Sequence, residues 1–357
     1  MNETGAPFIP IFDGHNDTIL SLRNTGRSFF ERSDTGHIDL PRAREGGLAG
    51  GFFAVWVPDP AHQPLPGDQT DPDVTPYMDV ATMPPPMPVD YAQHYALGSL
   101  GRLLRLATAD GQVRIVQTAQ QVREAIADGA FAIELHLEGA EPVDTELYAL
   151  EVYARAGIRS LGIVWSRPNA FGHGVPFRFG ESPNIGPGLT DAGKALVRAC
   201  NQLGIIVDVS HLNEAGFWDV VATTEDPIVA THSNAFALCP VTRNLTDKQL
   251  DAIRESEGIV GVNFHVGFLR PDGKELPEET TVAAIADQVD YLIERLGDDK
   301  VAFGSDFDGA TMPADLRDAA GLPKVIAELR RRGYDDATLC KLGVDNWLRI
   351  FERTWGA

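Results

Sequence analysis

Two side chains that could hold a metal ion lie two positions apart near the start of the chain. His15 and Asp17 belong to the run DGHND. Residues two apart on an extended chain point to the same side, so both can bind one ion. An imidazole together with a carboxylate suits zinc or a comparable divalent ion. Because this spacing is common, the prediction of a metal site depends on further ligands elsewhere in the chain.

Further side chains of metal-binding type follow later apolar runs. They are Glu138, His211, His232, Asn263, His265, Asp306 and Asp308. Two of the histidines could hold a second ion, and a carboxylate such as Glu138 could bridge two ions through its two oxygens. Two ions about 3.5–4 Å apart would activate a bridging hydroxide and polarise a carbonyl. The pattern therefore predicts a binuclear metal site, with zinc as the expected ion.

Three other polar residues have more than one interpretation. His136 alternates with glutamates on one predicted strand, so it could bind metal, support a ligand or be structural. Asp13 could support His15 or stabilise a turn. His173 belongs to a Gly-rich loop and could lie at the rim of the pocket.

The elements that must position these residues alternate between strands and helices. Short apolar runs predict strands over 8–12, 51–57, 131–137, 160–165, 204–209, 227–231, 258–264 and 300–304. Amphipathic stretches predict helices over 90–107, 118–128, 144–156, 189–203, 246–256, 279–296, 322–332 and 335–353. The strands are apolar throughout rather than alternating, which indicates a parallel sheet covered by helices on both faces.

Eight strands separated by helices in a chain of 357 residues favour a (β/α)8 TIM-type barrel. The alternative is a doubly wound open sheet, but no GxGxxG motif follows the first strand. In a barrel the carboxyl ends of the strands meet at one face, where the polar side chains would converge. We expect one domain over residues 1–357, with a Pro-rich surface loop at about 58–89 that acts as a lid or a dimer contact.

Composition and charge exclude several classes of protein. With 43% hydrophobic and 23% charged residues, the chain has the composition of a globular protein rather than a disordered one. A net charge of −21 argues against nucleic acid or an anionic membrane as the partner. No secretory signal or transmembrane stretch is visible. The three cysteines are scattered, which is typical of reduced thiols and favours the cytoplasm.

Taken together, these motifs resemble the membrane (renal) dipeptidase family, peptidase family M19, of the amidohydrolase-like metal-dependent barrels. The resemblance covers nearly the whole chain and is highly specific, because many motifs agree in order. The motifs are DGHNDTIL at 13–20, GHIDLPRAREGGLAGGFFAVWVP at 36–58, LEGAE at 137–141, GLTDAGKALVRACNQLGIIVDVSHLNEAGFWDV at 188–220, PIVATHSNAFALCPVTRNLTD at 227–247, GIVGVNF at 258–264, VAFGSDFDGA at 301–310 and DNWLRIFE at 345–352.

The resemblance implies a role for each metal ligand. In the family, the His-x-Asp pair binds one zinc ion, and here that pair would be His15 and Asp17. Glu138 would bridge the two ions, and His211 and His232 would bind the second.

The resemblance also implies residues that bind substrate and move protons. Arg243, in TRN, matches the arginine that holds the substrate's terminal carboxylate, and Asp306, in GSDFDG, matches the aspartate that handles protons. Two positions depart from the family pattern. Trp165 stands where many members have a histidine that contacts the scissile carbonyl, and His265 stands where many have tyrosine. We expect both to line a substrate pocket that differs from the pocket of those members.

The expected function is that of a cytoplasmic zinc dipeptidase, which cleaves the peptide bond by means of a metal-bridging hydroxide. The expected substrates are dipeptides of two L-residues and L,D-dipeptides with the D-residue at the C-terminal position. Two alternatives stay open at this point: a hydrolase of N-acyl amino acids or lactones, and a metal-binding protein without turnover. A homodimer is the usual assembly in the family.

Overall fold

The computed structural model describes residues 8–59, 85–107 and 110–356, and parallel strands form its centre. In hydrogen-bonded order, the strands of the barrel are β1 (Ile11–Asn16), β2 (Leu48–Trp56), β4 (Phe131–Glu138), β5 (Ile158–Gly162), β6 (Ile206–Asp208), β7 (Val229–Ala230), β8 (Ile259–Val262) and β9 (Val301–Phe303). A further strand, β3 (Val113–Ile115), pairs with β4 outside this ring.

The first strand and the segment after the last one bring the two ends of the sheet together. The Asp306 amide donates to the His15 carbonyl oxygen at 3.0 Å, and the Asp17 amide donates to the Phe307 carbonyl oxygen at 2.8 Å. The sheet therefore forms a nearly closed ring of eight parallel strands, which confirms the predicted (β/α)8 TIM-type barrel.

Helices connect the strands and cover the outside of the barrel. They are α1 (Thr18–Thr25), α2 (Leu40–Gly46), α3 (Val89–Leu106), α4 (Ala119–Ala127), α5 (Tyr148–Ala156), α6 (Asp191–Leu203), α7 (Glu214–Thr223), α8 (Asp247–Glu255), α9 (Val266–Leu269), α10 (Val282–Leu296), α11 (Leu322–Arg331), α12 (Asp336–Cys340) and α13 (Asn346–Thr354). Side-chain caps help to fix where they begin. At the start of α7, for example, the Asn213 side chain accepts a hydrogen bond from the Gly216 amide at 2.8 Å.

The predicted strands are all present, but their ends are shifted. The strand predicted at 8–12 runs from Ile11 to Asn16, so its polar end belongs to the strand itself. Strand β5 ends at Gly162, which leaves Trp165 in the loop that follows. The sequence patterns missed β3 and the helices α1, α2, α7 and α9.

The predicted Pro-rich loop lies largely outside the described residues. Only 58–59 and 85–89 of its span are described. That the whole of 1–357 forms one domain stays a prediction.

Strands β2 and β4 have the longest shared register, in which Gly50 pairs with Ala132 at one end and Trp56 pairs with Glu138 at the other. The two strands approach closely at the start of this register. A Cβ at Gly50 would overlap the Ala132 carbonyl oxygen, so only glycine fits there. At the other end, the pairing places Trp56 beside Glu138 at the carboxyl face of the barrel.

Aromatic side chains fill the amino-terminal end of the barrel. Trp347 of α13 is fully buried, lies 4.9 Å from the ring of Phe52, and donates its indole N–H to the Phe303 carbonyl oxygen at 3.3 Å. Phe12 and Phe351 pack edge to face in the same cluster, 5.4 Å apart. This apolar layer confines the polar chemistry to the middle and the carboxyl end of the barrel.

A buried polar group occupies the middle of the barrel. The Ser160 hydroxyl oxygen lies 2.9 Å from Glu134 Oε2 and 2.7 Å from His136 Nδ1. Burial raises the pKa of Glu134 to about 8 and lowers the pKa of His136 to about 3, so both side chains are neutral at pH 7. The Ser160 hydroxyl donates to Glu134, so its oxygen can accept the Nδ1 proton of His136. Nδ1 of His136 is thus occupied by structural contacts.

The shifted pKa of Glu134 should make the stability of the fold depend on pH. In the folded state Glu134 keeps its proton up to about pH 8, whereas its ordinary pKa is 4.5. The unfolded chain therefore loses this proton first, and the contribution of Glu134 to the free energy of unfolding should fall as pH rises from about 5 to 8. We expect Glu134→Gln, which mimics the protonated acid, to remove this contribution from the pH slope and to be more stable than wild type at pH 9.

Denaturant unfolding of the metal-stripped proteins at pH 5 and pH 9 measures this effect. At pH 5 the two proteins should be similar, and one pKa unit corresponds to about 1.4 kcal/mol. A Glu134→Gln variant with the same pH slope as wild type would show that Glu134 is ionised in the folded state.

Candidate metal and substrate site

The predicted metal ligands converge at the carboxyl ends of the strands. His15 and Asp17 lie at the end of β1, Glu138 is the last residue of β4, and His211 and His232 follow β6 and β7. All five side chains are buried. The structure therefore brings together residues that are more than 200 positions apart in the chain.

The carboxylate of Glu138 lies at the centre of this group. Its Oε2 is 3.7 Å from His15 Nε2, whereas its Oε1 is 3.1 Å from His211 Nε2 and 3.8 Å from His232 Nε2. Asp17 Oδ2 lies 3.4 Å from His15 Nε2, on the same side as Oε2. A carboxylate placed in this way can bind two cations, one on each oxygen.

The two later histidines present lone pairs towards Glu138. His211 Nδ1 is 2.8 Å from the Ser166 hydroxyl. Thr231 donates to Asp208 Oδ2 at 2.6 Å, so its oxygen accepts from His232 Nδ1 at 2.8 Å. Burial lowers the pKa of both histidines well below the usual value, and a neutral imidazole with Nδ1 occupied has Nε2 available to bind a metal ion.

His15 provides the clearest evidence that the site fits a metal. Neither of its ring nitrogens has a hydrogen-bond partner within the described ranges, although the ring is fully buried. Burial alone would lower the pKa of His15, but the carboxylates of Glu138 and Asp17 raise it to about 10. A buried polar ring without partners costs free energy that ligation would recover. Three imidazoles and two carboxylates form a donor set suited to zinc.

Asp306 lies next to the ligand group and is held by a strained loop. Its φ is +63°, a left-handed value, and Asn263 Nδ2 donates to its Oδ2 at 2.9 Å. The loop passes so close to Asp17 that a Cβ at Gly309 would overlap Asp17 Oδ2. Asp308 of the same loop points elsewhere and pairs with Arg27 at 3.0 Å.

A small cavity of about 150 Å³ opens above these residues. Its polar lining residues are Asp17, Glu138, His211, His265 and Asp306. Its large apolar lining residues are Leu20, Trp56, Trp165, Phe177 and Phe268. The two indoles meet edge to face, 5.2 Å apart, and Trp165 lies 6.0 Å from the ring of His211. Trp165 also contacts Phe177, and Phe177 contacts Phe268, so the four aromatic side chains form one connected group, which we call the aromatic wall.

Comparison with known proteins assigns the chain to a family. Residues 7–355 match the sequence pattern of the membrane dipeptidase family, peptidase family M19. The chain belongs to this family. Membership makes it a metallo-dipeptidase, a hydrolase of peptide bonds, and confirms the resemblance inferred from the motifs.

Two solved structures agree with this assignment, and a curated relative is similar to the chain over most of its length. The dipeptidase AC, a metallo peptidase of family M19, is 47% identical, with a TM-score of 0.90 and coverage of 98% of this chain and 100% of that one. A metallo peptidase from Rhodobacter sphaeroides, liganded with a phosphinate mimic of the dipeptide L-Ala-D-Ala, is also 47% identical, with a TM-score of 0.91 and the same coverage. A protein in the pqqA 5′ region of Klebsiella pneumoniae is 47% identical over 250 residues, 70% of this chain and 92% of that protein.

The residues that depart from the family pattern both line the cavity of this M19 dipeptidase. Trp165 forms part of the aromatic wall. His265 has its Nε2 3.3 Å from Glu275 Oε1 and its Nδ1 3.4 Å from the Thr311 carbonyl oxygen, so both ring nitrogens face other acceptors. His173 is not among the lining residues.

Arg243 is not among the residues that line the cavity of this M19 dipeptidase, but its guanidinium carbon lies 5.9 Å from the centroid of the Phe268 ring, which does line it. Its Nη1 donates to the Ser233 hydroxyl at 2.8 Å and its Nη2 to the His232 carbonyl oxygen at 2.8 Å. Nε has no hydrogen-bond partner among the described residues. Burial lowers the pKa of Arg243 to about 10, so the group stays charged at neutral pH.

Sequence reasoning missed several residues of the aromatic wall. Trp56 ends β2 and is paired in register with Glu138, so only the strand pairing reveals that it faces the site. Phe177 comes from a loop and Phe268 from the short helix α9, and the sequence patterns predicted the path of neither segment.

Among the described helices of the M19 dipeptidase, none is long and apolar enough to cross a membrane.

Proposed function

We propose that the chain is a zinc-dependent dipeptidase with two ions per chain, which cleaves small L,L- and L,D-dipeptides. The proposed metal ligands are His15, Asp17, Glu138, His211 and His232. The observation that carries the proposal is the position of Glu138, which has His15 beside one oxygen and two histidines beside the other, on the floor of a small cavity.

The chemistry of hydrolysis divides between the metals and the protein. Two bound zinc ions would supply an activated water and polarise the peptide carbonyl. Asp306 is the carboxylate we propose as the proton carrier, because it borders the cavity and one of its oxygens is fixed by Asn263. It would accept a proton from the attacking water and deliver it to the leaving amine.

The aromatic wall has the role of packing against the substrate and excluding water. An indole offers one N–H donor and no basic nitrogen, so Trp165 cannot carry protons as the family's histidine could. Its contribution is apolar area. His265 would contact the substrate through its ring, since both of its nitrogens face other groups.

The size of the cavity supports small substrates. Pockets for drug-sized ligands start at about 300 Å³, and this cavity has about half that volume. The Rhodobacter sphaeroides structure holds a mimic of L-Ala-D-Ala, which supports a D-residue at the C-terminal position here.

A substrate panel tests the proposed function. The zinc-loaded protein should hydrolyse L-Ala-L-Ala and L-Ala-D-Ala, and a chelator should abolish the activity. N-acetyl-alanine and a simple lactone serve as the comparison substrates. Faster cleavage of either would favour a hydrolase of N-acyl amino acids or lactones, and tight zinc binding without turnover of any substrate would indicate a metal-binding protein.

Arg243 is expected to bind the free carboxylate of the substrate. Its Nε has no hydrogen-bond partner among the described residues, so the guanidinium could donate a charge-assisted hydrogen bond from this nitrogen to a carboxylate. Amidating the C-terminus of the dipeptide should therefore lower kcat/KM about 10–100-fold in wild type, the size of one charge-assisted hydrogen bond. In Arg243→Ala the same amidation should cost little further.

Steady-state kinetics on the free and amidated dipeptides measure this difference. Arg243→Lys is the matched control, because it keeps the charge and loses the planar fork. Equal losses on amidation in wild type and Arg243→Ala would remove Arg243 from the substrate site.

A further inference from the structure

A buried cation that the proposed function does not use lies behind the aromatic wall. The Arg167 side chain is fully buried, and its guanidinium carbon lies 5.5 Å from the centroid of the Trp56 ring and 5.3 Å from that of the Trp165 ring. Both indoles line the cavity. One guanidinium thus supports the two largest side chains of the wall from behind.

The anchors of Arg167 tie together the two segments that carry the indoles. Its Nε donates to Glu141 Oε1 at 2.8 Å, and its Nη2 donates to the carbonyl oxygen of Val57. Val57 directly follows Trp56, and Arg167 follows Trp165 by two positions. The position of each indole is therefore coupled to the other through a single side chain.

Stability alone does not account for this ion pair. Burying two charges costs desolvation that their attraction only partly recovers, and apolar residues of similar volume are often equally stable. In the described part of the chain, Arg167 Nη1, Glu141 Oε2 and Trp56 Nε1 also lack hydrogen-bond partners. What the pair does provide is a fixed orientation, because a guanidinium stacks on aromatic faces and holds a carboxylate in a planar geometry.

We propose that Arg167, held by Glu141, is a positioning residue that fixes Trp56 and Trp165 and so restricts the site to substrates with a small side chain against this wall. This inference rests on the proposed dipeptidase function. The rigid pair of indoles leaves a cavity of about 150 Å³, and releasing either ring would enlarge it. A bulky side chain would gain most from that release.

The test replaces the ion pair by neutral residues of similar length, Arg167→Met with Glu141→Gln. Selectivity is measured as kcat/KM for L-Ala-L-Ala divided by kcat/KM for L-Ala-L-Phe, and likewise for L-Phe-L-Ala. We expect the ratio to fall about tenfold for the dipeptide whose phenylalanine contacts the aromatic wall. A tenfold change is the size of one desolvated cation–π contact. Metal content should match wild type. The matched control is Arg42→Met with Asp39→Asn, an equally buried pair at 2.7 Å that does not line the cavity.

The outcomes separate positioning from a general structural role. Parallel losses on all substrates, or an unchanged selectivity ratio in a folded, metal-loaded variant, would overturn the proposal. If the double variant does not fold, Arg167→Lys keeps the charge beside Glu141 without the planar group. It should shift the ratio in the same direction, and an unchanged ratio there would equally overturn the proposal.

A second readout does not depend on hydrolysis. The chain has five tryptophans, so 5-fluorotryptophan labelling should give assignable fluorine resonances for Trp56 and Trp165. Both resonances should broaden or split in the charge-neutral double variant, or in Arg167→Lys if the double variant does not fold, but not in the Arg42 control. Sharp, unshifted lines would overturn the positioning role of Arg167, even if no dipeptide is a substrate. Altered lines without turnover of any dipeptide would support the positioning role and overturn only the proposed function.

Discussion

Replacing Asp306 by Asn should lower kcat by about 10²–10⁴-fold while the protein keeps its fold and its metal ions. This range is the usual contribution of general acid–base catalysis. Asn is similar in shape to Asp but cannot accept and release a proton, so the loss would come from proton transfer rather than from packing. Steady-state kinetics and metal analysis of the same preparation check both parts of this prediction.

Asp308 provides a matched control in the same loop. Asp308 also has a positive φ, and its buried carboxylate is occupied by Arg27 at 3.0 Å and by the His37 amide at 2.6 Å. We expect Asp308→Asn to lower the melting temperature and to change kcat only a few-fold. Loss of metal in Asp306→Asn would instead show that Asp306 orients a ligand.

Wild-type protein should bind two zinc ions per chain, and His211→Ala should weaken the binding of one of them more than 100-fold. Changes to groups that merely support a ligand usually cost 10–100-fold in metal affinity, so loss of a ligand should cost more. His211 Nε2 lies 3.1 Å from both Glu138 Oε1 and His232 Nε2, so its removal should affect the ion on this side. Chelator competition followed by metal analysis measures the effect.

His136 serves as the control for this experiment. It is as buried as the proposed ligands, but its Nδ1 is bound to Ser160 at 2.7 Å. His136→Ala should therefore leave the zinc stoichiometry at two. A wild-type protein with at most one ion, unchanged by His211→Ala or His232→Ala, would contradict the binuclear site.

Metal binding should also weaken in acid. In the metal-free protein His15 has a pKa of about 10, raised against burial by Glu138 and Asp17, so it carries a proton at pH 7. Ligation must displace this proton, and lowering the pH therefore opposes binding.

The ligand set could be predicted because each ligand stands at a recognisable place in the sequence. His15 and Asp17 lie two apart at the end of an apolar run, and Glu138 ends another such run. Parallel strands bring their carboxyl ends to one face, so strand order alone predicts that these side chains meet. The barrel and the ligand group therefore follow from patterns within short segments.

The aromatic wall and its support could not be predicted in this way. Whether Trp56 faces the site depends on its register with Glu138 across two strands. That Arg167 is buried behind two indoles depends on the path of a loop, and most arginines at such positions lie on the surface. The direction of Arg243, towards the His232 carbonyl oxygen, likewise depends on a rotamer chosen by its neighbours.

The unequal strand lengths of the barrel have a consequence for how the molecule opens. Strands β2 and β4 have nine and eight residues, whereas β6, β7, β8 and β9 have between two and four. Fewer hydrogen bonds between strands hold the second half of the barrel. Its amides should therefore exchange with solvent through local openings that cost less free energy. His211 and His232 follow β6 and β7 in this half, while His15 and Glu138 lie on β1 and β4. A cation bound by residues of both halves would link them at the carboxyl end of the barrel. Losing that cation should increase amide exchange first in the half with the short strands.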